Sequence, residues 1–157
     1  MSDAQQPVFS IEKIYVKDLS VEVPAAPQVF LQPEQSQLEV QLEQQNEQVA
    51  DGLYEVTLTV TVTAKSGAKT LFLVEAAQAG IFQIRNIPDA DLQAVLGTIC
   101  PNTLLPYARE VVASTVLRAG FPPVTLQHMN FDVVYQQRLQ QMQTEQAAAA
   151  APASTPH

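Results

Sequence analysis

Tyr54-Glu55-Val56-Thr57-Leu58-Thr59-Val60-Thr61-Val62-Thr63 is the stretch that decides the fold. Bulky apolar residues hold every even position and Glu or Thr every odd one, and a period of two sends them to opposite faces of an extended strand. One dry face and one wet face are the mark of an antiparallel sheet covered on a single side. Upstream, Leu38, Val40 and Leu42 alternate with Glu39, Gln41 and Glu43. The polar run Gln44 to Asn46, followed by Asp51-Gly52, supplies a reversal, so the two segments form an antiparallel hairpin. Downstream, Lys65-Ser66-Gly67 marks another turn, and Thr70 to Ala77 reads as a third strand with apolar residues on both faces. Phe9 to Val23 is also rich in β-branched and apolar residues. Pro24, Pro27 and Pro33 then punctuate a connection longer than a hairpin needs, so the first strand crosses over to its partner.

From Asp89 the spacing becomes helical. A short helix is expected with Asp89 or Asp91 capping its start, Leu92, Val95 and Leu96 inward and Gly97 as its stop. Asn102 to Ala119 carries Leu104, Leu105, Ala108, Val111, Val112, Thr115 and Val116 on one stripe, with Pro106 in the opening turn and Gly120 at the end. Asn130 caps a last helix with Phe131, Val134, Tyr135, Leu139 and Met142 on its inner side. The expected organisation is a flexible N-terminus over 1–8, one α+β domain over 9–144, and a disordered alanine, proline, serine and threonine tail over 145–157. In that domain a four-stranded antiparallel sheet carries helices on one face.

Sixteen Asp and Glu against eight Lys and Arg leave a net charge of −8, a field that repels phosphate backbones, so no nucleic-acid partner is expected. Cys100 is the single cysteine, which suits a reducing compartment. The start of the chain has no basic flank or apolar run, so a cytoplasmic protein without membrane insertion is expected. No Gly-rich phosphate loop occurs, and His128 and His157 are the only histidines. Cys100 beside an apolar helix start reads as a buried hydrophobe, and the Asp89/Asp91 pair reads as helix-start acids. No enzyme and no cofactor are expected.

What remains is a question of surfaces. Asp18, Ser20 and Glu22 share one phase of the first strand, and Leu73 and Glu75 share the phase opposite Phe72, Val74 and Ala76. Such a face is either simply solvated or an acidic plate that attracts a basic partner. Leu38, Val40 and Leu42 are either core or the wall of a groove. Tyr15, Phe30, Phe121 and Met129 are either lids on the core or contacts for extended apolar peptides.

The chain resembles the bacterial protein-export chaperones of the SecB family at several separated places. These are Ile11-Glu12-Lys13-Ile14-Tyr15-Val16-Lys17-Asp18-Leu19-Ser20-Val21-Glu22-Val23-Pro24, then Tyr54-Glu55-Val56, Val60-Thr61-Val62-Thr63-Ala64, Phe72-Leu73-Val74-Glu75 and Gly80-Ile81-Phe82. The series continues through Cys100-Pro101-Asn102, Pro106-Tyr107-Ala108-Arg109-Glu110, Gly120-Phe121-Pro122-Pro123 and Asn130-Phe131-Asp132. The chain departs from the family at Leu105, where an aromatic is common, and at Ala119, where a second glycine is frequent.

The resemblance implies an ATP-independent holdase that keeps unfolded precursor proteins competent for export and hands them to the motor SecA. A relative dedicated to one client, such as an antitoxin, is the alternative on the same scaffold. It implies a homotetramer built as a dimer of dimers, with Val74, Ala76 and Gln78 at positions that affect assembly. Asp18, Glu22, Leu73 and Glu75 match the positions that contact SecA. Leu38, Val40 and Leu42, with Tyr15 and Phe121, fall where the family lines its peptide-binding groove.

Overall fold

The computed structural model describes residues 5–151. Four strands, β1 (Val8–Glu22), β2 (Gln37–Ala50), β3 (Leu53–Ser66) and β4 (Lys69–Arg85), form one antiparallel sheet in the order β1-β4-β3-β2. Helices α1 (Asp89–Gly97), α2 (Ile99–Arg118) and α3 (Phe131–Ala150) follow. β2, β3 and β4 are a meander, whereas β1 and β2 hold opposite edges. The proline-rich connection between them therefore crosses from one edge to the other, through a short 3-10 segment at Gln28–Phe30. This is the α+β arrangement with a crossover that the strand and helix patterns imply.

β3 obeys its alternation. Val56, Leu58, Val60, Val62 and Ala64 are buried, and α2 lies across β3 and β4. On β4, Phe72, Val74, Ala76, Phe82 and Ile84 are buried in the same cluster, together with Leu104, Val112 and Val116 from α2. Gly80 brings sheet and helix close. A β-carbon there would stand 3.2 Å from the Leu104 side chain and 3.2 Å from the Lys13 carbonyl oxygen, closer than such atoms normally pack.

Several boundaries differ from the sequence reading. The hairpin reverses only at Asp51-Gly52, and Gln44 to Asn46 continues β2, opposite Leu58 to Val56. Polar side chains are tolerated there because β2 is an edge strand with one side open to water. Gly52 takes the positive φ of the turn (67°), and Arg85 fastens the loop through bonds to the Asp51 carboxylate (3.0 Å) and carbonyl (2.7 Å). β4 runs on to Arg85, well beyond Ala77.

α2 begins at Ile99, separated from α1 only by the non-helical Thr98 (φ −128°, ψ −65°). Pro106 consequently lies inside the helix and not in its opening turn. It faces solvent, where the carbonyl left without its amide partner can bind water. Pro88, not Asp89, is the N-cap of α1 and makes no side-chain bond, so Asp89 and Asp91 act through the helix dipole in the first turn. Asn130 caps α3 as expected, its Oδ1 accepting from the amides of Asp132 (3.0 Å) and Val133 (3.4 Å). α3 extends through 145–150, residues expected to lack structure, because alanine carries the highest helix propensity and needs no packing partner to add a turn. The rest of the expected tail, 152–157, and residues 1–4 of the N-terminus lie outside the described residues, whereas Val8 already belongs to β1.

β1 is interrupted by two bulges, between Ile11 and Lys13 and between Val16 and Asp18. Each adds a residue and flips the phase, so Phe9, Ile11, Ile14, Val16, Leu19 and Val21 all pair with the helix-side residues of β4. Phe9, Ile11, Val16, Leu19 and Val21 are nevertheless between 43% and 47% exposed. This apolar row on an edge strand has no cover among the described residues.

Candidate functional site

Leu38, Val40 and Leu42 stand opposite Ala64, Val62 and Val60, on the helix side of the sheet. Leu42 packs against the core, while Leu38 is 48% and Val40 50% exposed. The segment from Val124 to Met129 forms the facing wall. Val124 and Leu126 are buried, and the Arg109 Nε donates to the Leu126 carbonyl (3.2 Å), tying the segment to α2. Together with Leu105 and Met129 these residues bound an apolar groove of about 460 Å³, also edged by His128. A concavity of that size with few polar groups is suited to apolar side chains of a ligand. Neither a pure core nor a flat surface describes the three β2 residues.

Phe121 is not among the residues that bound this groove and lies in a neighbouring aromatic cluster. Its ring packs on Phe72 (4.7 Å between centroids) and Phe30 (5.3 Å), and Phe72 follows Ala64 and Leu38 in line across the sheet. Gly120 is needed here. It has φ +92°, and a β-carbon would stand 2.9 Å from the Phe30 ring. Tyr15 is not in this group. The bulge after Ile11 sets it opposite Ala79 on the outer sheet face, where its hydroxyl donates to the Glu55 carboxylate.

That outer face is the acidic one. Glu22 pairs with Leu73, Ser20 with Glu75 and Asp18 with Ala77, so Asp18, Glu22, Leu73 and Glu75 form one contiguous patch. The three acids are exposed and Leu73 is half-buried between them. Further along the same face, Glu47 sits directly opposite Glu55, a like-charge pair that destabilises the hairpin unless compensated. Lys17, at the second bulge, compensates it with an ion pair to Glu55 at 2.6 Å. The bond from Lys17, and then that from Tyr15, hold the Glu55 carboxyl below its ordinary pKa. Burial, and then the bond to Glu55, push the Tyr15 phenol up to about 12.

Val74, Ala76 and Gln78 lie on the helix side, buried within the protomer. Val74 and Ala76 belong to the protomer's own core cluster. Gln78 donates from Nε2 to the Tyr15 carbonyl (3.0 Å) and reaches the floor of a cleft of about 490 Å³ between β1 and α2. The uncovered row on β1 escaped the sequence reading. Its signal is there: apolar residues at 9 and 11, 14 and 16, 19 and 21 keep a period of two with an extra residue inserted twice.

Comparison with known proteins identifies the family. The family model described as preprotein translocase subunit SecB matches residues 2–142. A protein-export protein SecB from Chromobacterium violaceum is 61% identical over 150 residues, covering 94% of this chain and all of its own. Relatives of the same name from Dechloromonas aromatica and Neisseria meningitidis serogroup C are 56% and 52% identical, covering 99% and 95% of the chain and 99% and 100% of their own length. Among solved structures, a SecB-like chaperone of Mycobacterium tuberculosis in complex with an antitoxin peptide superposes with a TM-score of 0.65. It is 19% identical, and the match covers 78% of this chain and 91% of that one, a likeness of fold. With its four-stranded crossover sheet, its groove and a family match across nearly all of its length, this chain belongs to the SecB family.

Proposed function

We propose that this chain works in the cytoplasm as an ATP-independent holdase that binds unfolded precursor proteins, keeps them competent for export and delivers them to SecA. The observation that carries the reading is the groove, which leaves Leu38 and Val40 half exposed beside a wall fastened to α2. Apolar segments of an unfolded chain lose water there without any specific pocket chemistry. The acidic patch of Asp18, Glu22, Leu73 and Glu75 is the docking plate for SecA, drawing a basic partner to an apolar centre. The names of the relatives, protein-export protein SecB, support the same reading.

The protomer works within a homotetramer, a dimer of dimers. The uncovered row on β1 and the cleft between β1 and α2 support it, since apolar side chains on a sheet edge are a liability unless another chain covers them. Val74, Ala76 and Gln78 influence assembly through the packing beneath that surface. Several grooves on one particle bind one client with high effective concentration, so weak contacts suffice for retention.

The test is suppression of aggregation of a chemically unfolded, reduced client, without nucleotide, at about one tetramer per client. Suppression that Val40→Asp weakens is the expected result. A protein that leaves aggregation unchanged is not a holdase.

A further inference from the structure

Resting on the groove reading above, we propose that Gln44 determines which segments the groove prefers, by accepting a hydrogen bond from the bound chain next to its apolar anchor. Gln44 is the residue after Leu38, Val40 and Leu42 in the same strand phase, opposite Leu58 on the helix side. Its carboxamide oxygen is buried and has no hydrogen-bond partner among the described residues. A buried acceptor in that condition costs stability that a donor from a ligand restores. Gln44 lines a hollow beside the groove, and the soft last torsion of its carboxamide lets the oxygen meet a donor that enters there.

The surroundings give that donor a place. That hollow, of about 330 Å³, is bounded by Leu42, Glu43, Gln44, Met129, Val134 and Arg138. Leu42 and Met129 also bound the apolar groove, so the two compartments are contiguous. The groove is mainly apolar, while the hollow offers the carboxamides of Gln44 and Gln45, a carboxylate and a guanidinium. An extended client lying along β2 has the same two-residue repeat as β2 itself, so its side chains of one phase meet positions 38, 40, 42 and 44 in turn. Three of those positions reward apolar groups. The fourth rewards a hydrogen-bond donor, so the preferred segment is an alternating apolar run with Asn, Gln, Ser or Thr at its flank.

Two fluorescently labelled peptides test this with the full-length protein. Both carry the same alternating apolar run, flanked in phase at both ends by Asn in one and by Leu in the other, which makes the direction of the bound chain immaterial. The unaltered protein is expected to bind the Asn peptide about five- to tenfold more tightly, the ordinary value of a hydrogen bond to an otherwise unpartnered group. Gln44→Leu is expected to abolish that preference, and Gln44→Glu, which keeps an acceptor, to retain it. Circular dichroism verifies that each variant is folded. Absence of a preference in the unaltered protein, or its survival in folded Gln44→Leu, overturns the proposal. If Val40→Asp leaves both peptides bound as before, the groove reading itself is wrong, a different outcome from a groove that binds without discriminating.

Discussion

Tyr15 and Glu55 are joined across the outer face of the sheet although one belongs to edge strand β1 and the other to β3. The bond spans β4 between Ala79, which faces Tyr15, and Ile81, which faces Glu55. Lys17 meets the same carboxylate, so a single acid on a central strand fastens the bulged edge strand to the hairpin.

This cluster makes stability depend on pH at both ends of the scale. Glu55 has a depressed pKa in the folded protein, so its contribution is complete above the ordinary carboxylate value and is lost as pH falls through the folded one. Glu55→Gln should flatten the acid limb of a plot of denaturation midpoint against pH. Tyr15 has a raised pKa, so the folded state favours the neutral phenol. Its contribution is complete below about 10 and disappears as pH climbs towards about 12. Tyr15→Phe should remove part of the alkaline decline, and an unchanged profile in either variant would refute the linkage.

Glu75→Lys reverses the charge of an exposed residue beside Leu73 without touching the core. SecA binding, measured by titration calorimetry, should weaken at least about tenfold, whereas client binding and particle mass should stay as they are. A change in particle mass would identify the patch as an assembly surface.

Gly97 faces the ring of Tyr135, and a β-carbon at that position would stand 2.7 Å from it. Gly97→Ala should therefore push α3 away from α1 at a cost of about 1–3 kcal/mol. Hydrogen exchange should accelerate over 131–143 and remain slow in β3 and β4. Adding Tyr135→Ala should relieve the clash, and unaltered exchange in the single variant would mean that the ring simply turns aside.

Cys100 is fully buried at the start of α2, and burial pushes its thiol up to about 12. Labelling by a thiol reagent near neutral pH should proceed at the rate of global opening and accelerate with denaturant in parallel with unfolding. Rapid labelling of the native protein would contradict this placement.

Local patterning alone was enough to determine the strand alternation of β3, the hairpin before it, the crossover and the capped α3, because each depends on periodicity or on neighbouring side chains. It also separated Leu73 and Glu75 from Val74 and Ala76, since adjacent residues of a strand must face opposite ways. Pairing register lay beyond it. Asp18 and Glu22 join Leu73 and Glu75 only because β1 runs antiparallel to β4 with two bulges, and one residue fewer would have turned the acids to the helix side. The same bulge carried Tyr15 away from the groove. Whether Leu38, Val40 and Leu42 are core or wall was likewise a tertiary matter: alternation shows that they share a face, but only the placement of α2 and the 124–129 segment decides how far that face is covered.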